Sequence, residues 1–431
     1  MNTTTQLDRT LLLCRDYVDN GLSNEEIAAS FLSLRVLCVA DQRNLSTHSG
    51  QTCLATLVAL LSRMGIRVAL AMPETSVILP QPPLAGSLLR ESLCGSSNRL
   101  LLGAEVEIWD GKAKPNLTFV LGDSEAVETG DACWRLGGND WGGVIQGKGM
   151  VGRWAAHWPV GAMVSAALAA GEAFKHAIRR LPFRNPQDQI FFEASSSAKW
   201  DFAPVVPPEG VDLGAVDIIS AGAITQAALY ALLRLPNVRM KGRVFDDDVT
   251  GETNLNRNML SQVNDVGMAK ASLVAERCAP RFDLRPIRKR FQADEHEEEL
   301  APSVLVGVDD IPSRWIIQRA AQGAVVVSGT SHFSISSSSH VPGEPCCGCQ
   351  HPVDDADGVA AIPTVSFVSF WAGLAMAVRL IHRAMGVPYP ADRQHLWLTP
   401  LRMDLSRAAL WSPVAARADC PVKCARSLRA A

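Results

Sequence analysis

The chain has 431 residues, 47% of them hydrophobic and 20% charged, with a formal net charge of −3. That length exceeds what one hydrophobic core usually serves and predicts two domains, or two halves of one repeated architecture. The charge gives no electrostatic footprint for nucleic acid, no apolar stretch is long enough to span a bilayer, and the opening MNTTTQLDRT lacks the basic-then-apolar pattern of a secretory signal; the expectation is a cytoplasmic protein with no nucleic-acid and no membrane partner.

In chain order, LRVLCVA from Leu34 reads as a buried strand, followed by a polar loop, an apolar helix-like run from Thr52 to Met64, and a second strand, IRVALAM. This is the opening of a doubly wound α/β unit. EVEIW and LTFVLGD read as further strands, and GAMVSAALAAGEAFKHAIRRLP as an alanine-rich helix. Residues 183–211, rich in Pro, Ser and polar side chains, read as a connector. From Val216 the same order returns: VDIIS, a small-residue turn, the helix ITQAALYALLRL, the strand KGRVFDDD, a later strand VLVGVDD and the helix WAGLAMAVRLIHRAMGVP. Asp123 ends an apolar strand in the first half as Asp309 does in the second, and His176 and Pro182 lie as far apart as His382 and Pro388. The predicted fold class is α/β, two Rossmann-like doubly wound units forming an internal pseudo-repeat, with residues 1–182 as the first domain, 183–211 as linker and 212–431 as the second domain.

The densest chemical signal is FDDDVTGETNLNRNMLSQVNDVGMAK, residues 245–270, directly after a predicted strand. An acidic residue at the carboxyl end of the second strand of such a unit is placed for ribose hydroxyls, which makes Asp246 the candidate. Arg257 and Lys270 can supply cations for phosphates, one as a planar fork and the other as a point charge, and Asn254 a neutral hydrogen bond. Near the C-terminus, Cys346 and Cys349 form a C-x-x-C knuckle and Cys420 with Cys424 a second pair; four thiolates suit a closed structural zinc site, with Cys347 as a competitor for one place.

Residues 245–270 resemble the signature of E1-like (ThiF/MoeB) adenylyltransferases: an Asp-x-Asp pair, here Asp246-Asp247-Asp248; Ser-Asn-Leu-x-Arg-Gln, here Thr253-Asn254-Leu255-Asn256-Arg257-Asn258; and Asp-x-Gly-x-x-Lys, here Asp265 to Lys270. The resemblance spans about residues 212–424. VGVDDIPSRWIIQ matches the family's Asp-Asn-x-x-x-Arg element and puts Asp309 where a magnesium-binding aspartate belongs, with Arg314 five residues later; PCCGC and CPVKC match the two halves of a zinc knot. The glycine-rich turn departs from the family, since Ser220-Ala221-Gly222-Ala223-Ile224-Thr225 keeps only Gly222 of Gly-x-Gly-x-x-Gly.

The resemblance implies ATP, Mg²⁺ and Zn²⁺ as cofactors. ATP would lie on Gly222, Asp246, Asp248, Asn254, Arg257 and Lys270; catalysis would fall to Arg257, Lys270 and Asp309, with Mg²⁺ on Asp309 helped by Asp248. The implied reaction is adenylation of the C-terminal carboxylate of a ubiquitin-like (β-grasp) protein, with an E2-like protein as a further partner; a sulfur carrier, a ribosomal peptide, or a scaffold without turnover are the alternatives. No cysteine lies in the crossover QHPVDDADGVAAIPTVSFVSFW, which points to an enzyme that stops at the adenylate, or to an acyl acceptor elsewhere: Thr364, Ser366 or Cys347. The first half lacks the acidic and Asn-x-x-Arg elements, so it is expected not to bind ATP and to act as a built-in inactive partner. Arg9 or Arg15, near its start, is the candidate for a phosphate-directed arginine.

Overall fold

The computed structural model describes residues 3–125, 130–202, 205–292, 299–353, 362–387 and 390–424; Pro388 and residues 354–361 of the crossover lie outside these. The chain opens with helices α1 (Thr3–Gln6), α2 (Asp8–Arg15) and α3 (Asn24–Leu32). Ser23 and Glu26 start α3 with a reciprocal capping box, which satisfies two N–H groups that the helix leaves unpaired. The first sheet follows: β1 (Arg35–Val39), α4 (Gln42–Leu45), α5 (His48–Arg63), β2 (Arg67–Ala71), α6 (Leu89–Cys94), β3 (Val106–Ile108), β4 (Leu117–Leu121), β5 (Ala132–Gly138), β6 (Gly142–Gln146), α7 (Val160–Ile178) and β7 (Ser197–Asp201). The second half runs β8 (Val211–Ile219), α8 (Ala223–Leu232), β9 (Val238–Phe245), α9 (Lys270–Cys278), β10 (Asp283–Ile287), β11 (Ser303–Val306), α10 (Ile311–Ala320), β12 (Ala324–Ser331), β13 (Ser334–His340), α11 (Cys347–Gln350), α12 (Ser366–Ala384), β14 (His395–Leu398) and β15 (Ala409–Ser412).

The two sheets have one plan. Their strand orders are β3-β2-β1-β4-β5-β6-β7 and β10-β9-β8-β11-β12-β13-β14-β15. In each, the first five strands are parallel and the rest antiparallel, the second sheet adding one strand at its edge. Strand pairs Val36↔Leu117 and Val216↔Ser303 set the same register, so Asp123 and Asp309 occupy the same place beyond their strands. The stretch expected as a connector contributes β7, which pairs with β6 and closes the first sheet's edge. Its polar alternation, Ser197-Ala198-Lys199-Trp200-Asp201, suits a strand with one solvated face, a short pattern that composition alone reads as loop.

The halves share one core. Leu57, Phe174, Leu229 and Trp371 belong to the same buried cluster. Nearly every residue of α5, α7 and α12 is buried, the charged Arg63, Glu172, Lys175 and Arg379 included, because these helices pack against the sheets and against one another. Small residues let them approach: a Cβ on Gly373 of α12 would lie 2.4 Å from Ile224 O at the start of α8. Tyr230 and Thr56 bond across the halves at 3.3 Å, and His382 packs at a tilt against Trp141 with ring centres 4.9 Å apart. No described helix is long and apolar enough to cross a membrane.

Candidate active site

At the carboxyl edge of the second sheet, between β8 and β11 where the strand order reverses, a cleft of about 470 Å³ opens. Crevices at this switch point bind ligands because loops leave the two strands in opposite directions and helix N-termini point inward. Its lining includes Gly222, Asp246, Asp248, Asn254, Arg257, Lys270 and Asp309, so every candidate drawn from the sequence for nucleotide or magnesium is brought into one space.

The turn from β8 into α8 shows how the chain manages without its glycines. Ser220 sits at φ 81°, where glycine is the usual residue; its Oγ accepts the Gly222 N–H at 3.1 Å and its carbonyl accepts the Thr225 hydroxyl at 2.6 Å. Gly222 caps α8 without a side chain. Where the third glycine is missing, Thr225 finds room because the facing residue is Gly307, whose Cβ would meet Thr225 Cγ2 at 2.7 Å. The small residue at this contact is Gly307, just past the end of β11.

Asp246 spends both oxygens on backbone: Oδ2 accepts from Ala221 N–H at 2.7 Å and Oδ1 from Asp248 N–H at 2.9 Å. Burial raises its pKa, against these donors and the Lys270 charge. It therefore shapes the turn at the cleft's floor. Asp248, largely exposed, pairs with Lys270 Nζ at 2.8 Å. Asn254 Oδ1 accepts from Gly251 N–H at 2.8 Å, which leaves Nδ2 as its donor. Arg257 uses Nη1 on Thr253 O and Asn256 Oδ1, and burial, then the Arg9 charge, lower its pKa to about 10.

Of the two N-terminal arginines, Arg9 lines the cleft and Arg15 does not. Arg15 is tied to Asn24 Oδ1 through Nε and Nη2, at 3.1 and 2.8 Å. Arg9 and Arg257 bring like charges together, an arrangement that an anion between them relieves. Arg314 is buried instead, donating to Val308 O from Nε and Nη2, and shapes the strand end that presents Asp309. Sequence reading missed Arg290, Ser313, Thr330 and Ser369, which also line the cleft. Arg290 pairs with Asp310 at 3.3 Å, and Asp310 caps α10 by accepting the Ser313 N–H. The basic run Arg288-Lys289-Arg290 after β10 was the available signal, one shared with any solvated strand end.

The residues could hold magnesium on Asp309, whose Oδ1 accepts the Asp310 N–H at 3.1 Å and whose Oδ2 remains, with Asp248 across the cleft. Of the hydroxyls considered as acyl acceptors, Thr364 lines the cleft, 3.1 Å from Ser369 Oγ, whereas Ser366 is buried against Leu60 O.

The cysteines form a second constellation. Cys346, Cys349, Cys420 and Cys424 hold their sulfurs within 4.8 Å of one another, with Cys346–Cys420 at 3.4 Å and Cys349–Cys424 at 3.3 Å. A tetrahedral Zn–S distance of about 2.3 Å requires sulfurs about 3.8 Å apart, so the group fits zinc after a small expansion. Cys347 points away, its Sγ 3.4 Å from Arg314 O in a separate apolar cluster, and burial raises its pKa to about 12; it competes for no ligand place.

In the first half the matching crevice is filled. Register places Met72 where Asp246 stands. Asn44 occupies the space, donating from Nδ2 to Asp41, Asp123 and Ser124 at 2.9–3.0 Å and accepting the Trp154 N–H at 3.0 Å. Asp123 is thus consumed within its own half.

Residues 219–422 match the ThiF family, and residues 35–184 match the BilD N-terminal domain. The second half of the chain is a ThiF family domain; a BilD N-terminal domain precedes it. The uncharacterized protein y4jF of Sinorhizobium fredii is 23% identical over 225 residues, 50% of this chain and 43% of that protein, so the chain spans less than half of that curated relative. Among solved structures, E. coli MccB with ATP is similar at 17% identity over 50% of this chain and 67% of that one, with a TM-score of 0.40. PaaA is similar at 15% identity over 47% and 64%, with a TM-score of 0.36.

Proposed function

We propose that the chain is an activating enzyme that adenylates the C-terminal carboxylate of a ubiquitin-like protein with ATP, and that Zn²⁺ on the four cysteines is structural. The observation that carries this reading is the convergence of Arg9, Arg257 and Lys270 with Asp309 on one cleft beside the N-terminus of α8.

The carboxylate oxygen attacks the α-phosphorus; the bond to the bridging oxygen breaks, and its electron pair leaves with pyrophosphate. No proton has to move, so the residues act by position and charge. Lys270 and Arg257 neutralise phosphate oxygens, and Arg9 approaches from the first half. Asp309, with Asp248, would hold Mg²⁺, which supplies charge neutralisation for the leaving pyrophosphate. A slender glycine-ended tail is the acceptor shape such a cleft admits. Transfer to an E2-like protein would follow the adenylate, and of the acyl acceptors weighed from the sequence Thr364 is the one that lines the cleft should an oxyester form.

The test is ATP–pyrophosphate exchange with candidate ubiquitin-like proteins, for the wild type and Asp309→Ala. Cargo-dependent exchange, reduced at least about 100-fold in the variant, is the expected result. A folded, zinc-loaded wild type that exchanges with no candidate would leave a non-catalytic scaffold as the better reading.

A further inference from the structure

The first half fills its own crevice yet grips the loop that carries the second half's. Arg63, on the last turn of α5, is fully buried and has no carboxylate at ion-pair distance among the described residues. Its Nη1 donates to Leu255 O; its Nη2 donates to Met259 O at 3.1 Å and Ser261 O at 2.7 Å. Leu255 and Met259 stand two residues before and two after Arg257. Burial lowers the Arg63 pKa to about 10, so the guanidinium remains charged at neutral pH. A cation taken out of water is costly unless strong acceptors replace the water, and here the acceptors are turn carbonyls that no helix or sheet satisfies.

The same loop is held from the first half at three more points. Thr10 Oγ1 accepts from Asn256 Nδ2 at 3.1 Å, Pro83 O from Gln262 Nε2 at 3.1 Å, and Arg99 O from Val263 N–H at 2.7 Å. Asn256 in turn accepts from Arg257. The Thr10 contact thus reaches the Arg257 fork through Asn256, and the other two hold the loop beyond it.

We infer that Arg63 is a positioning residue: from the degenerate half, it fixes the turn on either side of Arg257 and so aims that guanidinium at the phosphates. The inference rests on the activating-enzyme reading. Lysine at this position keeps the charge but cannot span three carbonyls.

The experiment is a double-mutant cycle in the full chain, using Arg63→Lys, Arg257→Lys and the double variant. It reads kcat and KM for ATP in pyrophosphate exchange, and binding of a non-hydrolysable Mg·ATP analogue, with folding checked by near-ultraviolet circular dichroism. Arg63→Lys is expected to lower kcat about tenfold or more with a smaller change in KM, and the double variant to match Arg257→Lys within about twofold, because the two act as one unit. If Arg63→Lys does not fold, Arg63→Gln, neutral and still a two-proton donor, takes its place in the cycle. Losses that multiply, or an Arg63 variant as active as the wild type, overturn the positioning role while wild-type exchange keeps the activating reading intact. A wild type that neither exchanges nor binds the analogue overturns both.

Discussion

Arg9 and Arg257 show how much of a site can depend on a side chain outside its own domain. The two guanidinium groups share a cleft, and Arg9 adds to the burial that lowers the Arg257 pKa. Bound polyphosphate would reverse the sign of that interaction, turning a repulsion into two charge-assisted contacts. Arg9→Ala is therefore expected to lower the rate of ATP–pyrophosphate exchange about 100- to 1,000-fold. Arg15→Ala, six residues on and bonded to Asn24, should leave it within about twofold. Equal losses in the two variants would show that the N-terminal helices act through stability alone. Asp246 makes the complementary point, since both its oxygens hold backbone N–H groups and it supports the turn beneath any nucleotide.

At the scale of elements, the cysteine group ties the chain's end to α10. Arg319 of that helix donates to Pro421 O at 3.1 Å, and Trp315 Nε1 to His351 O at 2.9 Å, while the other end of α10 presents Asp310 and Ser313 to the cleft. The cysteine group thus sits behind a helix whose front lines the cleft. Metal analysis by native mass spectrometry should find zinc in the wild type and in Cys347→Ser at the same content, and none in Cys420→Ser. A chelator should lower the melting temperature of the first two proteins and leave the third unchanged. Loss of zinc in Cys347→Ser would mean that this thiol moves into the ligand set.

At the scale of the whole molecule, the four histidines His48, His340, His382 and His395 are partly or fully buried, and two of them, His48 and His382, lie between the halves. His48 Nε2–H donates to Arg234 O at 2.7 Å across the halves, and His382 packs at a tilt against Trp141. Burial, the first cause in each case, lowers the pKa of His48, His340, His382 and His395 to about 4. Unfolded histidine titrates near about 6.5. Below that pH the unfolded chain takes up protons that the folded chain refuses, so stability is full above about 6.5 and is lost as pH falls toward about 4. Urea unfolding at pH about 7.5, 6 and 4.5 should show a falling free energy, with a shallower fall in His340→Asn. An unchanged midpoint between the first and last of these would contradict the lowered titration of these four rings.

Much was legible in the sequence because it is written locally. Strand and helix periodicity announced both halves, and the spacing from Asp246 to Lys270 placed its residues on one loop that must lie at a strand's carboxyl end. The paired cysteine spacings marked four thiols that the fold brings within 4.8 Å of one another. What the sequence could not settle was which distant residues meet. That Arg9 and Thr364 line the cleft while Arg15 and Ser366 do not, and that Cys347 turns away from Cys346, Cys349, Cys420 and Cys424, all follow from side-chain direction after packing. The filled crevice around Asn44 and the grip of Arg63 on Leu255, Met259 and Ser261 join residues up to 198 positions apart. Local pattern fixes elements through short-range sterics and burial; partnership across such separations exists only once the shared core has brought the two halves together.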